Sequence, residues 1–162
     1  MSDVLDVIRF HPRWTVTKYA NDEDFKNGKP FEVKITDGNL LSTAGATLLW
    51  TLAIGGAGQA FDNAHAYLGC GDDTTAAAAG QTDLQAVTNK VRKGMDAGKP
   101  SVATNVLTLS ATFGSADANW AWNEMAVFNA AAAGTMLCRK VSAQGTKASG
   151  QTWVLTYTNT LS

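Results

Sequence analysis

The sequence predicts a mainly β protein, an antiparallel β-sandwich or jelly-roll-like fold with one or two short helices. Three observations lead to this fold class. Apolar and polar residues alternate with a period of two in several segments. Turns rich in Gly, Asn and Ser separate those segments, and the segments follow one another closely after Val102.

The N-terminal region, residues 1–40, is predicted to be extended. Apolar residues alternate with polar ones in residues 14–19 and again in residues 31–36, so each segment predicts a strand with one face buried. Polar turn clusters lie between them. We therefore expect an N-terminal extended arm or pair of strands in residues 1–40, which is a possible attachment region, and a β-rich core domain in residues 41–162.

One helix is predicted with clear start and stop signals. Residues 42–54 have apolar residues at helical spacing, Ser42 or Thr43 can cap the start, and Gly55-Gly56 follows the end. A second helix is predicted over Asp83–Lys93, with Asp83 as its cap.

The last third of the chain predicts four strands. They cover residues 106–113, 120–128, 135–141 and 152–161, and residues 144–151 are predicted to be a turn region. In the second of these strands Glu124 interrupts an apolar row that includes Trp122 and Ala126. We expect Glu124 to pair with Arg139 or Lys140 on a neighbouring strand.

Composition limits the class of protein. A chain of 162 residues fits one compact domain, and 45% hydrophobic with 17% charged residues is typical of a folded chain. The net charge of −1 and the pI near 6.1 argue against nucleic acid as the main partner. The sequence shows no secretory signal and no apolar stretch long enough for a membrane span. We expect synthesis in a cytoplasm, with Cys70 and Cys138 as buried thiols rather than a disulfide.

The sequence offers little for catalysis. His11 and His65 have no second His or Cys at metal-ligand spacing, and Gly55–Gly58 is better explained as a helix stop than as a phosphate loop. No serine lies in a G-x-S-x-G elbow. We therefore expect no catalytic residues, no cofactor and no metal, and a protein that is not an enzyme.

Residues that could form an interface are aromatic or charged. The five tryptophans indicate either a core and subunit interface or an exposed platform that stacks on glycans, and we favour the former. The interface candidates are Trp14, Lys90, Arg92, Lys93, Trp120, Trp122, Glu124 and Arg139.

Several short motifs occur in a recognisable order. They are Thr82–Gln85 (TDLQ), Lys90–Lys93 (KVRK), Thr112–Asn119 (TFGSADAN), Trp122–Asn129 (WNEMAVFN) and Gly134–Arg139 (GTMLCR). With their surroundings, residues 44–162, they resemble a small domain found among tailed-bacteriophage virion structural proteins. Such proteins occur as capsid-associated and as tail- or fibre-associated components.

The resemblance implies a structural role. We expect a capsid decoration (cement) protein, a trimer, bound to the outer surface of the major capsid protein on the virion. Residues 1–40 or Lys90–Lys99 are the expected points of attachment. The alternatives are a tail- or fibre-associated adaptor and a host-glycan-binding module. The expected partners are the major capsid protein and other copies of the chain, with no direct nucleic acid and no membrane.

Overall fold

Two antiparallel sheets of five strands each pack face to face in the computed structural model, which describes residues 8–162. The predicted β-sandwich is confirmed. The first sheet has the strand order β2-β1-β10-β7-β6 and the second has the order β3-β9-β8-β4-β5. The elements are β1 (Phe10–Tyr19), α1 (Asp22–Lys26), β2 (Glu32–Asp37), β3 (Leu40–Leu41), α2 (Thr43–Ala53), β4 (Tyr67–Gly71), β5 (Lys90–Gly94), β6 (Ser101–Ala103), β7 (Val106–Phe113), β8 (Ala121–Phe128), β9 (Met136–Thr146) and β10 (Thr152–Leu161).

The two ends of the chain meet in the first sheet. β1 pairs along its whole length with β10, from Phe10 opposite Leu161 to Tyr19 opposite Thr152. The strands predicted in residues 1–40 are therefore confirmed, and they share a sheet with the C-terminal strand. Residues 1–7, where the predicted arm begins, lie outside the described residues.

Rows of side chains across three strands of the first sheet form one wall of the core. Each row takes one buried residue from each of β1, β10 and β7, because residues opposite each other in an antiparallel sheet share a face. The rows are Trp14–Tyr157–Leu109, Val16–Leu155–Ala111 and Lys18–Trp153–Phe113.

Aromatic contacts join the two sheets. Trp122 of β8 packs edge-on against Phe113 and Trp153, with ring centroids 4.7 and 5.0 Å away. Large rings in this arrangement bury much apolar area and fix the distance between the sheets. The polar end of the third row is Lys18, whose Nζ lies 4.5 Å from the Trp153 ring centroid and donates to Glu32 at 2.6 Å.

For the strand predicted over residues 31–36, the expectation that the apolar face is buried is wrong. The apolar residues of the second N-terminal strand point outward, with Phe31, Val33 and Ile35 each about half exposed. Their polar neighbours face the other sheet instead: Lys34 donates to the carbonyl of Ala143 and the Thr36 hydroxyl accepts from Gln144. Alternation predicts a strand with two different faces, but the partner across the sandwich decides which face is buried.

The predicted helix over residues 42–54 is confirmed. Ser42 caps α2, because its hydroxyl accepts from the amide of Gly45 at 2.8 Å. Gly55 follows the end with φ +74°. Gly45 is also where the helix meets β9, since a Cβ there would lie 2.5 Å from the carbonyl oxygen of Leu137.

The predicted helix over Asp83–Lys93 is wrong. Residues 72–89, which we call the outer loop, cross the outer face of the second sheet in an irregular conformation, and β5 begins at Lys90. Leu84 and Ala86 are buried against that face. The amides of Gln85 and Ala86 donate to the Glu124 side chain of the sheet instead of to helical carbonyls.

Two further details differ from the prediction. β9 continues to Thr146, so the predicted turn region begins later than residue 144. In β8 a register shift separates Trp122 from Glu124. Trp122 therefore enters the interior of the sandwich while Glu124 contacts the outer loop, and the two do not share one row.

Neighbouring residues of β10 test the two faces of the first sheet. Leu155 is fully buried and Val154 faces outward. We expect Leu155→Ala to lower the free energy of unfolding by about 2–5 kcal/mol, because it leaves a cavity in the core. The control Val154→Ala should lower it by less than about 1 kcal/mol. Denaturant unfolding followed by tryptophan fluorescence measures both, and equal losses would contradict the assigned faces.

Candidate interaction surfaces

A buried ion pair lies on the outer face of the second sheet. Glu124 of β8 and Arg139 of β9 are 0% and 1% exposed, and Arg139 Nε donates to Glu124 Oε2 at 2.6 Å. This confirms the pairing expected from the sequence. Because both charges are removed from water, the pair needs further hydrogen bonds to be stable.

Backbone amides of the outer loop donate those hydrogen bonds to Glu124. Its Oε2 accepts from the amide of Gln85 at 2.9 Å and its Oε1 accepts from the amide of Ala86 at 2.8 Å. Gly71, opposite Glu124 on β4, leaves room for the carboxylate, since a Cβ there would lie 2.4 Å from Oε1. The carboxylate thus replaces the secondary-structure partners that residues 85 and 86 lack.

Arg139 holds the first half of the same loop. Its Nη1 donates to the carbonyl of Thr75 at 2.9 Å and to Oε1 of Gln81 at 3.0 Å, and its Nη2 lies 3.7 Å from the carboxylate of Asp73. One buried pair therefore fixes the outer loop at both ends. We call the pair with its loop partners the loop clamp.

Basic residues of β5 also bind the outer loop. Arg92 donates to Asp83 at 2.8 Å and to the carbonyls of Ala130 and Ala133, and its guanidinium lies 3.5 Å from the Phe128 ring centroid. Lys90 also donates to Asp83, at 3.0 Å. Partial burial raises the pKa of Asp83, but the hydrogen bonds from Arg92 and Lys90 outweigh that effect and leave it below the usual value.

The remaining lysines of the segment are also engaged within the chain. Lys93 donates to Asp117 at 2.6 Å, and this hydrogen bond is the main reason that the pKa of Asp117 is lowered. Lys99 donates to the hydroxyl of Ser101. The basic residues expected to bind a partner thus have partners in their own chain.

Most of the interface residues predicted from the sequence are buried or partly buried. Trp14, Trp122, Glu124 and Arg139 are buried, so they contact no other molecule while the chain is folded. Trp120 is partly buried against the core. The structure does bring Glu124, Arg139 and Arg92 together around the outer loop, where they act on the chain itself.

A different tryptophan is exposed. Trp50 on α2 is 71% exposed, and Ile54, which directly follows the helix, is 84% exposed. Positions 50 and 54 lie one turn apart and on the same side of the helix. We call these two side chains the α2 patch. Their spacing is visible in the sequence, but nothing there distinguishes a helix face that packs inward from one that remains in solvent.

An apolar groove lies beside the N-terminal half of the sandwich. It has a volume of about 330 Å³ and its apolar lining includes Phe10, Leu41, Leu49, Leu137 and Tyr157. Leu49 belongs to α2, so the groove adjoins the helix that carries the α2 patch.

The two cysteines are free and buried, as predicted. Burial raises the pKa of Cys138 to about 12 and that of Cys70 well above its ordinary value. Both thiols are therefore protonated near neutral pH and unreactive in the folded chain.

Two searches of the described residues concern metals and membranes. Residues 8–162 contain no group of three or more His, Cys, Asp or Glu side chains placed to hold a metal ion. Over the same range no helix has the length and apolar character that a membrane crossing requires.

Comparison with protein-family models, with curated proteins and with solved structures finds no match to this chain. The resemblance to phage virion proteins stays a prediction.

The loop clamp predicts a local effect on the outer loop. We expect Glu124→Gln to lower the free energy of unfolding by about 3–5 kcal/mol, because Arg139 loses its buried counter-charge and keeps only the partly exposed Asp73, 3.7 Å away. Hydrogen exchange should accelerate first at the amides of Gln85 and Ala86. The control Asp117→Asn, which breaks the half-exposed pair with Lys93, should cost about 1 kcal/mol or less. Equal effects of the two variants would contradict the clamp.

Asp83 predicts a pH dependence. Its pKa is lowered in the folded chain, so the folded state binds its proton less tightly than the unfolded state does. The stability that it contributes is present above the unfolded pKa of about 4 and is lost as the pH falls through the lower, folded value. Below about pH 4, Asp83→Asn should therefore lose less stability with falling pH than the unchanged protein. Parallel pH profiles from urea unfolding would exclude this contribution.

Proposed function

We propose that the protein is a structural component of a tailed-phage virion, a capsid decoration protein that binds the outer surface of the major capsid lattice. The observation that carries this proposal is the α2 patch, a large aromatic and a large aliphatic side chain exposed to solvent at the end of a helix whose first turn packs on β9 at Gly45. Exposed apolar groups of this kind are typical of surfaces that bind other proteins.

The rest of the molecule suits a rigid building block. The loop clamp holds the longest irregular segment of the described chain against the second sheet, and the paired ends hold the first sheet. A body that does not rearrange loses little conformational entropy on docking. The contact energy of the patch is therefore available for binding.

The binding energy expected from one patch is small, which suits a protein that binds in many copies. Burying the exposed part of Trp50 yields roughly 3–4 kcal/mol before the costs of association. One such contact gives weak binding, but a capsid shell presents many sites. A protein that binds only the assembled shell shifts the equilibrium between free and assembled capsid protein toward the shell. A tail- or fibre-associated adaptor would use the same patch, and the location on the particle distinguishes the two.

A label at Ser162 tests the location. Ser162 is exposed, so a tag there leaves the α2 patch free. We expect the label over the whole head of intact particles. Label confined to the tail or to one vertex would contradict decoration and support the adaptor.

Substitutions test the surface. We expect Trp50→Ala with Ile54→Ser to raise the dissociation constant for the particle at least about tenfold, since the lost contact energy exceeds 1.4 kcal/mol, and so to lower the number of copies per particle at sub-saturating protein concentration. The matched control is Val87→Ser, which removes a side chain that is 93% exposed and lies in the outer loop rather than on α2. Unchanged unfolding curves show that both variants fold, and unchanged copy number in the double variant would exclude the patch.

A further inference from the structure

β2 is an outer strand of the first sheet with an open edge. β1 pairs with it on one side, and no strand of residues 8–162 pairs with it on the other. An open edge presents unpaired N–H and C=O groups, which are a template for another strand.

The hydrogen bonds of the neighbouring strands show which backbone groups are free. Arg9 and Ser162 exchange both of their backbone hydrogen bonds, so the odd-numbered residues of β1 bond to β10 and the even-numbered ones face β2. Gly38, opposite Pro12, accordingly donates to its carbonyl. The even-numbered residues of β2 therefore bond to β1. The backbone groups of Val33 and Ile35 point to the open edge.

The same edge carries exposed apolar side chains. Phe31, Val33 and Ile35 are 54%, 51% and 56% exposed and lie on the outer face of the sheet. Within the described chain, this edge combines free backbone groups at Val33 and Ile35 with a row of large apolar residues, a combination that strand addition would cover. The amide of Phe31 donates to the carbonyl of Lys18 on β1.

The residue pattern of β2 favours one register, although within each copy Glu32 already accepts from Lys18 and Lys34 already donates to the carbonyl of Ala143. In an antiparallel pair of two β2 strands centred on Val33, Val33 lies opposite Val33, Phe31 lies opposite Ile35, and Glu32 lies opposite Lys34 of the second copy. By the two-fold symmetry, the three apolar pairs fall on one face and the two opposite-charge pairs fall on the other. Centring the pair on Lys34 instead would place two lysines opposite each other, which is unfavourable.

We propose that two copies of this chain associate through their β2 strands, in antiparallel register about Val33, and so join their first sheets into one continuous sheet. The two-fold contact is isologous, because each copy contributes the same strand. It leaves α2 free and does not depend on the location of the protein on a virion. It also differs from the three-fold symmetry expected from the sequence.

A contact of one short strand is small. Interfaces at the low end of the size range bind with dissociation constants in the micromolar to millimolar range, so association should depend on concentration up to roughly 1 mM. Sedimentation equilibrium of the unchanged full-length protein should show a monomer–dimer equilibrium over that range. A mass that stays monomeric, or one that fits a trimer, would overturn the proposal.

Single cysteines report the register. Opposite residues of a hydrogen-bonded pair have Cα atoms about 5.5 Å apart, within the span of a disulfide, so Val33→Cys should form a covalent dimer under mild oxidation. Ile35→Cys is the matched control. It is equally exposed, but its counterpart lies four residues away along the partner strand, roughly 13 Å, and should not cross-link. The native cysteines are buried and do not interfere.

Proline tests the role of the backbone. Val33→Pro removes an N–H that points to the open edge, so the bonds to β1 remain and the fold is kept. We expect loss of dimer with an unfolding free energy close to that of Val33→Thr, which retains the N–H and should retain the dimer. Dimer that persists in Val33→Pro, or cross-linking as strong at position 35 as at position 33, would exclude this pairing.

Discussion

The buried pair of Glu124 and Arg139 is the contact on which the organisation of the second sheet depends. Its members lie on adjacent strands, and each also binds backbone of the outer loop. A buried carboxylate is costly unless its oxygens are fully hydrogen-bonded, and here two backbone amides and one guanidinium provide those bonds. The loop needs the pair for its own amides as well. Sheet and loop therefore stabilise each other, and neither conformation is defined by local sequence alone.

The same arrangement explains why the charged motif of β5 does not form an outward binding surface. Arg92 and Lys90 turn toward Asp83 of the outer loop, and Arg92 covers the Phe128 ring. Their charges complete the attachment of the loop to the sheet. Large exposed apolar side chains lie elsewhere, and those on α2 and along β2 are among them. These are the two surfaces through which we propose association with protein, because buried apolar area supplies binding energy.

Sequence patterns predicted the features that depend on local periodicity or on direct strand neighbours. The alternation in β1, β7 and β10 identified the strands, and Ser42 and Gly55 bounded α2. The single acidic residue in an apolar row predicted a pairing with Arg139 or Lys140, and Arg139 is the partner. The failures share a cause. Asp83–Lys93 has capping and apolar signals of a helix, but the amides of Gln85 and Ala86 bind a carboxylate about 40 positions away. No local pattern contains that information.

The candidate interface was missed for a related reason. The interface candidates predicted from the sequence included Trp14 and Trp122 on strands. Both are buried, whereas Trp50 on α2 is exposed. Periodicity shows that a segment has two faces, and burial of either face depends on what packs against it. On β2 the second sheet meets the polar face through Ala143 and Gln144, so the apolar face is left outward. An apolar face kept in solvent beside a free backbone edge is a template for association, and the proposed pairing with a second β2 would take both the apolar area and the free backbone groups out of water.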